Sequence, residues 1–316
     1  MQGGYRKDEI MGKTAFLFPG QGAQYAGMGA DFCEKYREAE EVFDKASEIV
    51  GLDIKALCFE KDERLDQTEY TQIAMVTTEI AMLRVILKEG IRADLAAGLS
   101  LGEYGALAAC KVMKDEDIFR VVRKRGIYMQ NAYPSGGGMT AVIGMDGDKT
   151  AEICDSVAHE SGRVVSVANY NCPGQIVITG EKEAVDEAAA KLTEAGARRC
   201  IPLKVSGPFH SGLLKGASEE LKLELDTADI ADPVMPYVTN VTADYVTEGA
   251  PVKDLLARQI YSPVKWQQSI ERMAQDGTDT FIEIGPGKTL TGFMKKIDPS
   301  LTAYHIGSVE ELQQLK

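Results

Sequence analysis

The chain has 316 residues, 44% of them hydrophobic, with 35 Lys and Arg against 48 Asp and Glu for a net charge of −13. That is enough apolar material for two cores, which excludes a disordered tail or a small stapled scaffold. With pI near 4.9 there is no basic excess to neutralise phosphates, so the composition argues against a nucleic-acid partner.

The opening residues MQGGYRKDEIMGK are charged and contain no apolar run, so nothing marks them for export, and Met11 is an alternative start. A short apolar strand is expected over Thr14–Phe18, broken by Pro19-Gly20 and a glycine-rich loop, followed by helical patterns to about Leu87. The richest apolar helix, around Ile73–Leu87, is interrupted by Thr77, Thr78, Glu79 and Arg84, so no membrane span is expected and the chain reads as soluble. A second strand, Asp94–Ala97, feeds Gly98–Gly102, after which come two helices, Glu103–Cys110 and Lys114–Ala132. Pro134–Gly138 (PSGGG) then reads as a hinge, because Pro stops a helix and glycines cost the most entropy to order.

From Met139 the rhythm becomes strand (Thr140–Ile143), helix (Asp148–His159), strand (Val164–Asn169), strand (Gln175–Thr179), helix (Lys182–Ala195) and strand (Arg198–Pro202). This βαββαβ order predicts a ferredoxin-like module. Beyond Lys204 helices resume, with Pro233 and Pro236 framing a short strand, an amphipathic helix over Pro263–Gln275, a strand over Thr280–Ile284, and Gly285–Gly287 opening a last helix. The expected architecture is α/β: a large domain with a short parallel sheet from residues 1–133 and 205–316, and an inserted ferredoxin-like small domain at 134–204. The six cysteines lie at least 18 residues apart with no C-x-x-C pair, and there are three histidines. A zinc site is therefore not expected, and the thiols suit a reducing compartment.

Glycine loops invite a nucleotide reading, and it fails. Gly20-Gln-Gly22 would need glycine at Tyr25, Gly285-Pro-Gly287 would need it at Leu290, and the two G-K-T triplets lack the upstream glycine of a phosphate loop. What remains is Gly98-Leu-Ser100-Leu-Gly102, placed after a predicted strand and before a predicted helix, as a G-x-S-x-G nucleophile elbow requires. A serine capping a helix between two glycines is the bland alternative. A serine nucleophile needs a base, and imidazole suits neutral pH. His159 ends a charged helix and reads as surface. His305 lies in an apolar run and reads as structural. His210, in the tight loop Ser206–Ser211 where the chain leaves the small module, is the favoured base. No acidic third member stands out, and a backbone carbonyl can orient the imidazole instead.

Seven motifs in chain order, FPGQGAQ (Phe18–Gln24), GLSLGEY (Gly98–Tyr104), Arg125 in RKRG, NCPGQ (Asn171–Gln175), GPFHS (Gly207–Ser211), RQIYSPVKW (Arg258–Trp266) and EIGPGKTLTG (Glu283–Gly292), resemble the malonyl-CoA:acyl carrier protein transacylase family, whose larger domain is α/β-hydrolase-like. The resemblance implies an acyltransferase of fatty-acid biosynthesis that acts through a malonyl-serine intermediate. Ser100 would be the nucleophile and His210 the base, with the backbone N–H groups of Gln21 and Leu101 as oxyanion hole and the backbone carbonyl of Gln259 orienting the imidazole. Arg125 would bind the malonyl carboxylate, a role its guanidinium fork suits. Phe209 would disfavour a methyl-branched acyl chain, at about 1–3 kcal/mol per methyl.

The same resemblance implies a cytosolic enzyme with malonyl-CoA and acyl carrier protein as substrates; with the composition it leaves no metal, cofactor, nucleic acid or membrane expected, and a monomer is the expected state. One position departs from the family: Leu99 stands where histidine is frequent. Since carrier proteins are acidic and CoA carries phosphates, docking needs a basic face, for which Arg120, Arg123 and Lys124, or Arg198 and Arg199, or Lys295 and Lys296 are candidates. Two rival activities remain: a discrete acyltransferase of a polyketide synthase, and an α/β-hydrolase-type serine thioesterase, which would need an Asp or Glu between nucleophile and base. A non-enzymatic scaffold that only holds carrier protein is the third alternative.

Overall fold

The computed structural model describes residues 12–205 and 207–315; the charged N-terminal run with Met11, and Ser206 of the histidine loop, lie outside them. Among the described residues ten strands form two sheets. β1 (Lys13–Phe18), β2 (Leu95–Gly98), β7 (Tyr237–Val238), β8 (Tyr245–Val246), β9 (Thr278–Ile284) and β10 (Thr302–Ile306) lie in the order β10-β9-β1-β2-β7-β8. The first five of these neighbours pair in parallel. β8 pairs antiparallel with β7, so the sheet is mixed rather than purely parallel as expected. β3 (Gly137–Ile143), β4 (Val165–Cys172), β5 (Gln175–Glu181) and β6 (Arg199–Pro202) form an antiparallel sheet in the order β4-β5-β3-β6, the arrangement of a βαββαβ module.

The central helix of the larger layer is Thr68–Lys88, which is buried nearly all round. It is long and apolar enough to cross a membrane by length and composition, yet 83% of that stretch lies inside the protein, so it is read as a core helix. Two of its threonines are accommodated by backbone acceptors: Thr71 Oγ1 donates to the Leu65 carbonyl at 2.6 Å and Thr78 Oγ1 to the Ala74 carbonyl at 2.9 Å. In the small sheet the side chains alternate: Val142, Val165 and Ile178 pack under the helices Gly147–Ser161 and Lys182–Glu194, while Met139, Ala168 and Val177 face the main core. Val264 joins the layers, accepting from Tyr170 N at 2.9 Å and donating to the Ala168 carbonyl at 2.8 Å.

Several expectations change. The PSGGG run is not a free hinge throughout, because Gly137 and Gly138 already belong to β3, paired with Glu181 and Gly180, and Pro208 packs on Gly137. The helix expected from Pro263 begins only at Trp266, since Val264 is held extended by its bridge to β4. The strand expected between Pro233 and Pro236 follows Pro236 instead, which has no N–H for the ladder but whose carbonyl accepts from Ala96 N. The helix after Gly287, Thr289–Ile297, is not the last: β10 and the helix Val309–Leu315 follow it. β10 sits at the sheet edge with largely half-buried side chains, so its sequence lacks the continuous apolar run of a central strand.

Candidate active site

Three neighbouring parallel strands deliver polar groups from their carboxyl ends, where open α/β sheets place their sites. After β1 comes Gln21, after β2 Ser100, and after β7 Asn240. Between β2 and the helix Glu103–Ala109 the chain makes a single 3₁₀ turn, Ser100–Gly102, with Ser100 in the left-handed region at φ 52°. The two glycines of the elbow are needed for close approach. A Cβ on Gly98 would fall 1.9 Å from the Gly102 carbonyl oxygen, and one on Gly102 would fall 2.1 Å from that of Phe18. Asn240 holds the turn, accepting from Ser100 N at 2.6 Å and donating to the Gly98 carbonyl at 2.6 Å.

The loop after the small sheet brings His210 to the elbow across a separation of 110 residues: Ser100 Oγ and His210 Nε2 lie 2.7 Å apart. His210 also sits in the left-handed region, at φ 59°. Such a backbone costs about 1–3 kcal/mol at a non-glycine residue and persists where the surroundings over-determine it, typically at functional sites. Its Nδ1 is 2.9 Å from the Gln259 carbonyl, so Nδ1 carries the proton and donates, leaving the Nε2 lone pair for the serine hydroxyl. Burial, with the Arg125 guanidinium as the second cause, pushes the imidazole down to about 4, against the pull of the Gln259 and Ser262 carbonyls. The imidazole is therefore neutral, and able to accept a proton, throughout the neutral range.

Of the basic run Arg120–Arg125, only Arg125 is turned inward, sharing a helix face with Val121, Val122 and Met129. Arg123 pairs with Glu69, Arg120 pairs with Asp117 and Glu224, and Lys124 is exposed. The first basic cluster is thus largely neutralised within the chain, whereas Arg198, Arg199, Lys295 and Lys296 are exposed. Arg125 is 1% exposed. It donates to Gln72 Oε1 at 2.7 Å and to Gln259 Oε1 at 2.9 Å, and lies over the Tyr104 ring. Among the described residues it makes no ion pair, and its Nε has no hydrogen-bond partner. A buried guanidinium without a carboxylate is costly, and this one lines the same cavity as Ser100 and His210.

That cavity, of about 540 Å³, is also lined by Gln21, Leu101, Leu99, Phe209, Asn169 and Asn171. Every sequence-derived site residue except Gln259 lines it, and Gln259 lies directly beneath. Leu99, at the departing position, is half-buried and packs with the smaller core of the main sheet. The other two histidines stay outside: His159 is exposed, and His305 is bound by Gly285 and Glu311. Among the described residues no cluster of three metal-ligating side chains occurs.

Sequence reasoning missed Asn240, Glu103, Gln72 and the Gln259 side chain. The amide of Gln259 donates to the Ser100 carbonyl at 3.0 Å and to Glu103 Oε2 at 2.6 Å, so one residue touches the elbow, the imidazole and the guanidinium. The available signal for Asn240 was its place just past a short apolar strand in a parallel sheet.

Comparison with known proteins identifies the family. Residues 15–306 match the acyl transferase domain family. The malonyl CoA-acyl carrier protein transacylase of Bacillus subtilis is 46% identical over 305 residues, covering 96% of each chain, and that of Escherichia coli K12 is 44% identical over 296 residues, covering 93% of this chain and 95% of the other. Among solved structures, the malonyl CoA-acyl carrier protein transacylase of Clostridium perfringens superposes with a TM-score of 0.92 at 42% identity over 95% of each chain. A malonyl-transacylase in complex with a type II polyketide acyl carrier protein superposes with a TM-score of 0.92 at 38% identity, over 96% of this chain and 98% of that one. This chain belongs to the acyl transferase domain family and, within it, to the malonyl-CoA:acyl carrier protein transacylases.

Proposed function

We propose that Ser100 and His210 carry the malonyl transfer from CoA to acyl carrier protein that defines this family. The supporting observation is the 2.7 Å contact between Ser100 Oγ and His210 Nε2 in a cavity shared with an unpaired buried guanidinium. Ser100 Oγ attacks the thioester carbonyl of malonyl-CoA while its proton passes to Nε2. The tetrahedral intermediate collapses with cleavage of the C–S bond, and the imidazolium returns the proton to the CoA sulfur. The phosphopantetheine thiol of the carrier then repeats the sequence in reverse order, its proton reaching Ser100 through His210.

The backbone N–H groups of Gln21 and Leu101 are assigned to the oxyanion, Arg125 to the malonyl carboxylate, Phe209 to the wall beside the acyl α-carbon, and the Gln259 carbonyl to the imidazole. Every group in this sequence of steps belongs to one chain, and none of the steps calls for a metal or cofactor. Residues 134–204 form the inserted small domain in this reading, and the reducing cytosol is its expected compartment. The thioesterase alternative loses its requirement, because the partner of His210 Nδ1 is a backbone carbonyl beyond the base in sequence. One related malonyl-transacylase is bound to a polyketide carrier, and the fatty-acid carrier is the main reading here, supported by the identity with the bacterial transacylases. Loading of holo acyl carrier protein from malonyl-CoA tests the proposal. The wild-type protein is expected to load it and Ser100→Ala to leave it unloaded; equal loading by both refutes the assignment.

A further inference from the structure

Two charged groups lie at the floor of the acyl site, and one amide stands between them. Arg125 Nη2 donates to Gln259 Oε1 at 2.9 Å, and Gln259 Nε2 donates to Glu103 Oε2 at 2.6 Å. Glu103, the first residue of the helix after the elbow, is fully buried, as is Arg125. Neither makes an ion pair among the described residues, so each has the other's charge, relayed by the amide dipole, as its compensation. The titratable groups facing Glu103 are Tyr104 on its own helix, Tyr237 from β7 and Arg125 from the helix Asp115–Ala132, with His210 beyond Arg125. Burial raises both phenols, so they stay neutral, and burial pushes the Glu103 carboxyl up to about 7 against the pull of Gln259, the Asn240 N–H, the Thr239 hydroxyl and Arg125. Oε2 accepts from Asn240 N and Gln259 Nε2, while Oε1 is buried with the buried Thr239 hydroxyl as a polar neighbour.

Building on the assignment of Arg125 to the acyl carboxylate, we propose that Glu103 is the resident counter-charge of Arg125, connected through the Gln259 side chain, and that it takes a proton from solvent when the malonyl carboxylate reaches the guanidinium. Two carboxylates and one guanidinium in a dry site carry a net negative charge, and protonating Glu103 at Oε1 removes it. An acetyl group brings no carboxylate and draws no proton. Glu103 is a positioning residue here: it touches no substrate, and acts through Gln259 on the guanidinium and on the Ser100 carbonyl.

The test uses Ser100→Ala protein, which cannot be acylated, titrated calorimetrically with malonyl-CoA and with acetyl-CoA in pairs of buffers of different ionisation enthalpy. The CoA phosphates are common to both ligands and cancel in the difference. Malonyl-CoA is expected to take up more protons than acetyl-CoA, by about one near pH 8, and its affinity advantage should fall about tenfold per pH unit between roughly pH 7.5 and 9. In Ser100→Ala/Glu103→Gln both effects should vanish. Equal proton uptake for the two ligands from pH 6.5 to 8.5 overturns the proposal without any variant at Glu103, and so does extra uptake that survives Glu103→Gln. Equal affinity for the two ligands at every pH would instead remove the Arg125 assignment on which the proposal stands.

Discussion

The floor and the roof of the catalytic cavity are built on different principles. The floor comes from the loops of the main sheet and the helices packed on it: Ser100, Glu103, Arg125, His210, Asn240 and Gln259 are joined by hydrogen bonds of 2.6–3.1 Å, and all but Ser100 are less than 5% exposed. The roof is the face of the small antiparallel sheet not covered by its own helices, where Met139, Asn169, Asn171 and Val177 give way to the exposed Leu203, Lys204 and Val205. Chemistry needs fixed atoms, and two residues with strained backbone stay fixed only inside a closed network. Admitting two bulky carriers in turn needs an open rim. Substitutions in the floor should therefore change kcat steeply, and those in the roof should change little.

The largest effect is expected from the proposed nucleophile and base. Ser100→Ala should leave no acyl-enzyme, and His210→Ala should lower kcat/KM for malonyl-CoA by on the order of 10³-fold or more in a carrier-loading assay. Arg125→Gln comes next, since the proposed buried charged pair with the acyl carboxylate would be worth several kcal/mol: malonyl-CoA kcat/KM should fall about 10²–10³-fold with acetyl-CoA far less affected. Asn240→Ala unpins the elbow by removing two bonds, and should cost about 1–3 kcal/mol in denaturant unfolding and roughly tenfold or more in kcat. Phe209→Ala should raise use of methylmalonyl-CoA relative to malonyl-CoA by about tenfold. Leu203→Ala in the roof should change stability by less than about 0.5 kcal/mol and acyl-CoA kinetics within a factor of about two.

A pH series sharpens the same contrast. Because the floor lowers His210 to about 4 from its ordinary 6.5, the acid limb of kcat/KM should lie well below that of a free imidazole. The unfolded chain binds the proton more readily, so this residue's contribution to stability is complete above pH 6.5 and is lost as pH falls towards 4. Arg125→Gln removes the second cause of the shift and should move the acid limb upward.

Much of this was legible in the chain because it rests on local chemistry. Gly98 and Gly102 had to flank Ser100 since nothing larger than hydrogen fits against Gly102 and Phe18, and the βαββαβ order is written in period-2 and period-3.6 patterns. Family resemblance was needed to single out Arg125 among four basic residues, because helix phase alone, read without Val121, Val122 and Met129 as an inward face, does not choose. Asn240, Glu103 and the Gln259 amide stayed hidden because their partners lie 137 to 159 residues away, at distances set by strand order rather than by any local pattern. β10 and the start of helix Trp266–Gln275 were missed for a related reason: an edge strand and a bridge to another sheet override the local propensity.

The most direct measurement is the mass and location of the acyl group on protein mixed with malonyl-CoA in the absence of carrier, followed by digestion. The account predicts one malonyl adduct per chain, on the peptide containing Ser100 at the hydroxyl of that residue, absent from Ser100→Ala and formed far more slowly in His210→Ala. A malonyl group found on any other side chain, or an adduct that forms at the wild-type rate without His210, would contradict it.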